Sequence, residues 1–194
     1  DHLCVWMSSG KPITAVAVLQ LAEQGRLDLD QPVADHIPAF KENDKDHITP
    51  RHLLTHTAGK RRVETGYPDA TWEQMVSAVC VAKLRQGWTP EERGAYDASA
   101  SWIVLGELIQ RITGQRLSDY ISDHVLDPLG MHDCFLGMPA RTYHRRSRDI
   151  AVMHSTTGDE PRPLDWHTIR SLSVPMPGRN FLAPANQLAR FYRS

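Results

Sequence analysis

The sequence has almost no net charge and few long apolar runs. Its 194 residues include 22 Lys and Arg against 23 Asp and Glu, which gives a net charge of -1 at pH 7. Because positive and negative charges nearly cancel, there is no electrostatic reason to expect nucleic acid or an acidic membrane surface as a partner. The longest apolar runs, such as residues 15–19, fall far short of the roughly 20 residues that a membrane-spanning helix needs. The composition therefore predicts a globular chain without a membrane span.

Cysteine is also scarce. The three cysteines, Cys4, Cys80 and Cys134, cannot all pair within the chain, and their spacing does not match that of a zinc site. Unpaired thiols favour a reducing compartment, so a cytoplasmic location is the expectation. The chain begins at Asp1 without a methionine and continues directly into a strand-like segment, so we expect that a natural N-terminus is missing.

Apolar spacing predicts more helix than sheet. Apolar residues recur at helical intervals in several segments that end at glycine or proline signals. The predicted helices run from about Ile13 to Gly25, from Thr49-Pro50 through Leu54, from Trp72 to Leu84, from Ser99 to Thr113, from Ser118 to Asp127, and from Pro184 to Tyr192. Strands are predicted at His2–Met7 and Asp149–His154, and a solvated charged turn at Lys41–His47. So many helices and so few short strands do not make a balanced α/β sheet, although the predicted strands need neighbours.

A serine and a lysine follow the first predicted strand. Ser8 and Lys11 lie where this strand turns into a helix, and residues three apart share one helix face, so the amine can reach the hydroxyl. Serine is a weak nucleophile until a base takes its proton, and the positive end of a helix stabilises a developing oxyanion. The pair therefore predicts a serine nucleophile with a lysine as its partner in proton transfer.

Three segments around this pair, and others farther along, resemble the serine β-lactamase-related family. The matching segments are Ser8-Ser9-Gly10-Lys11-Pro12-Ile13-Thr14-Ala15, residues 21–33, His52-Leu53-Leu54-Thr55-His56-Thr57-Ala58-Gly59, residues 105–114, Pro128-Leu129-Gly130-Met131 and Gly178-Arg179-Asn180. This family includes class C β-lactamases, D-Ala-D-Ala carboxypeptidases, family VIII carboxylesterases and some acyltransferases of secondary metabolism. The resemblance covers nearly the whole chain and implies one domain across residues 1–194 with a β-lactamase/transpeptidase-like fold of the α/β (α+β) class.

The family's second motif, Tyr-x-Asn before a helix, matches Tyr96-Asp97-Ala98. The resemblance implies that Tyr96 shares proton transfer with Lys11, whereas a tyrosine in such a loop is otherwise more often a packing or surface residue. Ala98 departs from the motif. In β-lactam-hydrolysing members the Asn contacts the amide arm of the substrate and the catalytic lysine, and an alanine can do neither.

The family's third motif, a Lys-Thr-Gly, His-x-Gly or Trp-x-Gly on a strand, is not found at a matching place. His56-Thr57-Ala58-Gly59 belongs to the early segment and is not this motif. In the family the motif follows the helix that here contains Tyr192, and the sheet is built largely from N-terminal and C-terminal strands. We therefore expect residues 1–194 to be a partial domain, mostly the helical subdomain, with sheet strands missing at both ends.

Other polar clusters have simpler explanations. His52 and His56 have the i, i+4 spacing of a metal pair but no acidic partner pattern, so packing or capping is the favoured interpretation. His144, Arg145, Arg146 and Arg148 are typical of a solvated loop, with a phosphate or carboxylate partner as the alternative. The tryptophans are predicted to pack in the core or in loops, although some near the mouth of a site can hold an acyl group. We expect neither a metal nor a cofactor.

The residues and the resemblance together predict a serine hydrolase. Ser8 would be acylated by a small-molecule ester or amide, with Lys11 and Tyr96 moving the proton, and water would release the acyl group. Two alternatives stay open: an acyltransferase that uses the same acyl-enzyme, and an inactive binding protein with a penicillin-binding-protein-like fold. The sequence does not determine the substrate or the oligomeric state.

Overall fold

The computed structural model describes residues 2–59 and 62–194, and helices dominate it. The helices are α1 (Lys11–Glu23), α2 (Pro50–Leu54), α3 (Trp72–Val81), α4 (Ala100–Thr113), α5 (Leu117–Ile121), α6 (Ala140–Arg146), α7 (Ile169–Leu172) and α8 (Ala185–Phe191). The strands are β1 (Cys4–Val5), β2 (His154–Ser155), β3 (Arg162–Pro163) and β4 (Leu182–Ala183). Within the described ranges, no helix is long and apolar enough to cross a membrane.

Helix α4 is the centre of the main core. Ten consecutive residues of it, from Ala100 to Ile109, are buried, because α1, α2, α3 and α5 all pack around it. It ends at Gly114, whose positive φ of 73° closes the helix, as the sequence predicts. A smaller apolar cluster, which includes Leu3, Val5 and Leu182, lies under the strands.

The predicted strands are shorter than expected. Of His2–Met7 only Cys4–Val5 is a strand, and it pairs antiparallel with β4 through Cys4 opposite Ala183 and Val5 opposite Leu182. In the segment Asp149–His154, Ile150 forms a single parallel bridge with Leu3, and only His154 enters a strand, β2, which pairs with β3. The cause is hydrogen bonding: apolar alternation predicts an extended chain, but a strand lasts only as long as its partner continues beside it.

The charged segment Lys41–His47 is exposed except at Lys45, where the prediction of a solvated turn is wrong. The Lys45 side chain is fully buried. Its Nζ donates hydrogen bonds to the carbonyl oxygens of Glu42 (2.5 Å), Cys80 (2.8 Å) and Ala82 (2.7 Å). Helix α3 ends there with carbonyls that lack a helical partner, so a buried cation is stabilised by the negative end of the helix.

Candidate active site

Ser8 lies on a tight turn between β1 and α1. The turn, Met7–Gly10, is a 3-10 helix, and Met7 has a positive φ of 52°. Trp6 fixes the beginning of the turn, because its backbone N–H donates to Phe181 O at 2.8 Å and its indole N–H to Ala183 O at 3.0 Å. The turn packs so closely that a Cβ on Gly10 would lie 2.4 Å from the Phe181 ring. Glycine is therefore required for this approach.

The structure brings Ser8, Lys11 and Tyr96 together. Lys11 Nζ donates to Ser8 Oγ at 3.0 Å and to the carbonyl oxygen of Gly178 at 2.5 Å. Ser8 Oγ also shares a hydrogen bond with the Tyr96 hydroxyl. Lys11 is buried, with 6% of its surface exposed, whereas Tyr96 is 60% exposed. The serine oxygen thus lies between a buried cation and a phenol that is exposed to solvent.

The charge of Lys11 favours ionisation of Tyr96. Its Nζ lies 5.2 Å from the centroid of the Tyr96 ring. Burial opposes ionisation of the phenol, but hydrogen bonding with Ser8 and Lys11, together with the lysine charge, holds the pKa of Tyr96 below its usual value. A phenolate beside a serine hydroxyl can accept its proton, which is the chemistry that a serine nucleophile needs.

Asp97, the residue after Tyr96, caps helix α4, a role that the sequence analysis missed. Its carboxylate accepts hydrogen bonds from the backbone N–H groups of Ser99, Ala100 and Ser101 at 2.8 to 3.0 Å and from the Ser101 hydroxyl at 2.7 Å. These groups form the first turn of α4, which has no helical acceptors for them. An aspartate just before a predicted helix start is the signal that identifies such a cap.

His56 packs against the loop that carries Tyr96 and Asp97. Its ring lies 4.9 Å from the Tyr96 ring and 5.9 Å from the Trp102 ring, measured between centroids. Its Nδ1 accepts the backbone N–H of Asp97 at 3.1 Å, and its carbonyl oxygen accepts that of Ala95 at 2.8 Å. His56 itself has a positive φ of 59°.

The two histidines of the early segment have separate contacts in the structure. His52 completes the capping box of α2 with Thr49 and contacts Glu91 at 3.2 Å. Across the described ranges there is no cluster of three or more side chains suited to hold a metal ion. The interpretation of His52 as a capping residue and of His56 as a packing residue agrees with these contacts.

We expect the support from His56 to depend on pH. Burial is the main reason that the pKa of His56 lies below its usual value of 6.5; Lys11 lowers it further, against the opposing charge of Asp97. The unfolded chain therefore takes up this proton first as the pH falls, and the free energy of unfolding decreases below about pH 6.5. Protonation also removes the acceptor for the Asp97 N–H.

The variant His56→Asn tests this expectation, because asparagine tolerates positive φ and keeps an acceptor oxygen but does not titrate. Chemical denaturation between pH 5 and 8 should show a shallower loss of stability in His56→Asn than in the unmodified protein. Equal pH profiles for the two proteins would show that His56 does not titrate in this range.

The loop 173–181, between α7 and β4, carries the carbonyl that holds Lys11. Asn180 orders this loop: its amide nitrogen donates to the carbonyl oxygens of Ser171 (3.0 Å) and Val174 (2.7 Å), and its oxygen accepts the N–H of Met176 (2.8 Å). Gly178 lies so close to the segment before α4 that a Cβ there would be 2.6 Å from Ala98 O. The position of Lys11 therefore depends on a loop that is more than 150 residues away in sequence.

A cleft opens on the other side of Tyr96. It has a volume of about 750 Å³ and is lined by residues of the segments 62–69 and 96–100 and by Arg85, Met176 and Arg179. We call it the Ala98 cleft, because Ala98 is exposed on its wall. Tyr96 therefore contacts Ser8 and also lines this cleft.

Comparisons with known proteins cover the whole chain or most of it. The family model described as Beta-lactamase matches residues 1–194. Penicillin-binding protein 4 of Amycolatopsis lactamdurans is 31% identical over 192 residues, which are 96% of this chain and 49% of that protein. Esterase EstB of Burkholderia gladioli is 31% identical over 158 residues, 69% of this chain and 38% of the esterase.

Among solved structures, FmtA from Staphylococcus aureus superposes with a TM-score of 0.83 at 16% identity, over 99% of this chain and 52% of that chain. This likeness concerns the fold. The chain spans about half or less of the length of the curated relatives it matches.

Proposed function

We propose that this chain, which belongs to the Beta-lactamase family, is a serine hydrolase. It cleaves ester-type or amide acyl groups through an acyl-Ser8 intermediate. Its fold is the β-lactamase/transpeptidase-like fold, which confirms the fold class predicted from the sequence. Relatives named as esterases and amidohydrolases support hydrolytic chemistry on small molecules. This chain covers only part of the length of those proteins. The reaction and the roles of its residues are therefore our proposal.

The proposed reaction begins with proton transfer from Ser8 to Tyr96. The Tyr96 phenolate, stabilised by the Lys11 ammonium, accepts the proton as Ser8 Oγ forms a bond to the substrate carbonyl carbon. The carbonyl oxygen becomes an oxyanion against the Ser8 backbone N–H. Tyr96 then returns the proton to the leaving group as the bond to that group breaks. In the second half, Tyr96 deprotonates a water molecule, which attacks the acyl-enzyme. As the bond between the acyl group and Ser8 Oγ breaks, Tyr96 returns this proton to Ser8 Oγ and the acid is released.

One observation carries the proposal: Ser8 Oγ is hydrogen-bonded to both Lys11 Nζ and the Tyr96 hydroxyl. A protein that only binds ligands has no need of a buried lysine directed at a serine, because a buried cation costs free energy unless it is well partnered. The three side chains come from β1–α1 and from the loop before α4, so their contact is a product of the fold. This supports an enzyme over an inactive binding protein.

Ala98 favours esters over β-lactams as substrates. In the family's β-lactam-hydrolysing members an asparagine at this place contacts the amide arm of the substrate. Here the exposed methyl group of Ala98 offers no hydrogen bond to that arm. An ester with an alkyl acyl group requires no such contact.

The experiment compares kcat/KM of the full-length protein on p-nitrophenyl butyrate and on nitrocefin. We expect the ester to be preferred, and the variant Ala98→Asn to move the ratio toward nitrocefin by about 10-fold, the usual value of one hydrogen bond to a substrate. A preference of the unmodified protein for nitrocefin would contradict the argument from Ala98. Adding an alcohol distinguishes the alternative reaction, because an acyltransferase would divert product to the new ester at low alcohol concentration.

A further inference from the structure

Arg179 brings a positive charge to the wall of the Ala98 cleft. It lines the same cleft as Tyr96 and Ala98. It also directly follows Gly178, whose carbonyl oxygen accepts a hydrogen bond from Lys11. A substrate that reacts with Ser8 and extends into the cleft would therefore pass close to this guanidinium.

The Arg179 side chain is held by two aromatic rings. Its guanidinium carbon lies 4.6 Å from the centroid of the Trp166 ring and 5.5 Å from that of Tyr67. The Tyr67 hydroxyl in turn donates to Ser171 O at 2.5 Å, and the Arg179 backbone N–H donates to Met176 O at 2.8 Å. Stacking on aromatic faces leaves the N–H groups at the edge of the guanidinium free to donate. The arginine is thus ordered before a ligand arrives.

The carboxylates around the cleft have partners of their own. Glu64 pairs with Arg62 at 3.2 Å, Asp69 pairs with Arg170, and Asp97 caps α4. Among residues 2–59 and 62–194, no carboxylate forms an ion pair with Arg179. At the rim, Arg85 lies over the Trp88 ring. The cleft therefore has an uncompensated positive charge at Arg179.

We propose that Arg179 binds a carboxylate carried by the substrate, so that the preferred substrates are esters or amides with a carboxylate several bonds from the scissile carbonyl. This inference rests on the proposed function of Ser8. A planar guanidinium matches a carboxylate through two parallel N–H···O bonds, and charge-assisted bonds of this kind are stronger than neutral ones. The carboxylate lies on the acyl side or on the leaving-group side, and separate substrates distinguish the two.

The test uses two pairs of substrates with the full-length protein. Mono-p-nitrophenyl glutarate is compared with p-nitrophenyl valerate for the acyl side, and 3-carboxyphenyl valerate with phenyl valerate for the leaving-group side. We expect kcat/KM to favour the carboxylate by about 10-fold to 100-fold in one of the two pairs. Arg179→Gln should abolish this preference and Arg179→Lys should retain part of it. Arg148→Gln, which removes the same charge from an exposed turn, should leave the preference unchanged.

A second measurement separates this inference from the proposed hydrolysis. Binding of glutarate to the variant Ser8→Ala, measured by calorimetry, requires no turnover and should be lost when Arg179→Gln is added. If no ester is turned over but Arg179-dependent binding is found, the proposed hydrolysis fails and the carboxylate site stands. If neither pair of substrates shows a preference for the carboxylate, or if Arg179→Gln leaves that preference and the binding intact, the carboxylate site is wrong.

Discussion

Replacing Ser8 by alanine in the full-length protein should lower kcat for ester hydrolysis by about 10,000-fold or more, because loss of a nucleophile leaves only the contributions of binding and oxyanion stabilisation. The unmodified protein should react with a fluorophosphonate probe, and mass spectrometry should locate the adduct on Ser8. The physical reason is local: Ser8 Oγ alone contacts both Lys11 Nζ and the Tyr96 hydroxyl in the described structure.

Ser9 provides the matched control for this prediction. It is the next residue on the same turn, and it is exposed, so the probe can reach both serines. Ser9→Ala should keep both turnover and labelling. An adduct that survives Ser8→Ala and disappears in Ser9→Ala would assign the nucleophile to Ser9 and overturn the mechanism.

Lys11 and Tyr96 should behave as one proton-transfer unit. Tyr96→Phe or Lys11→Met in the full-length protein should each lower kcat/KM by about 100-fold to 10,000-fold, and the double variant should lose little more than the worse of the two. Additivity would be expected only if the two side chains acted independently. They do not, because the lysine charge helps to hold the pKa of Tyr96 below its usual value and both side chains contact Ser8.

The pH profile gives this prediction a second readout. If the Tyr96 phenolate is the base, kcat/KM rises with pH until the phenol is fully ionised, and the lowered pKa places this rise below the usual value of 10.0. Tyr96→Phe should remove the rise. Tyr192→Phe is the control, because Tyr192 is similarly exposed at 64%. Unchanged turnover in Tyr96→Phe would show that another group takes the proton from Ser8.

The parts of the site that follow from local spacing could be predicted from the sequence. Ser8 and Lys11 are three residues apart, and the 3-10 turn that leads into α1 brings their side chains within hydrogen-bond distance. Helix α4 was predicted within one residue, because its apolar periodicity and terminal glycine are local signals. Tyr96 was proposed only through the family resemblance, since a single tyrosine in a loop has no periodicity to indicate its role.

The remaining features depend on contacts between distant segments. His56 meets Asp97 across 41 residues, and Lys11 meets Gly178 across 167. No periodicity or motif in the sequence predicts contacts at these separations. The predicted strand lengths are wrong for the same reason. β1 continues only where β4, which is far away in sequence, lies beside it.

Lys45 shows what such contacts imply for chemical labelling. An amine-reactive reagent that acetylates lysines in the native protein should leave Lys45 unmodified, since its amine is fully buried on three carbonyl oxygens. Lys41, four residues earlier and exposed, should react at once. Acetylation of Lys45 would therefore show that the contact between the loop 42–45 and the end of α3 has opened. The ratio of acetylated Lys45 to acetylated Lys41 therefore measures local unfolding of this segment.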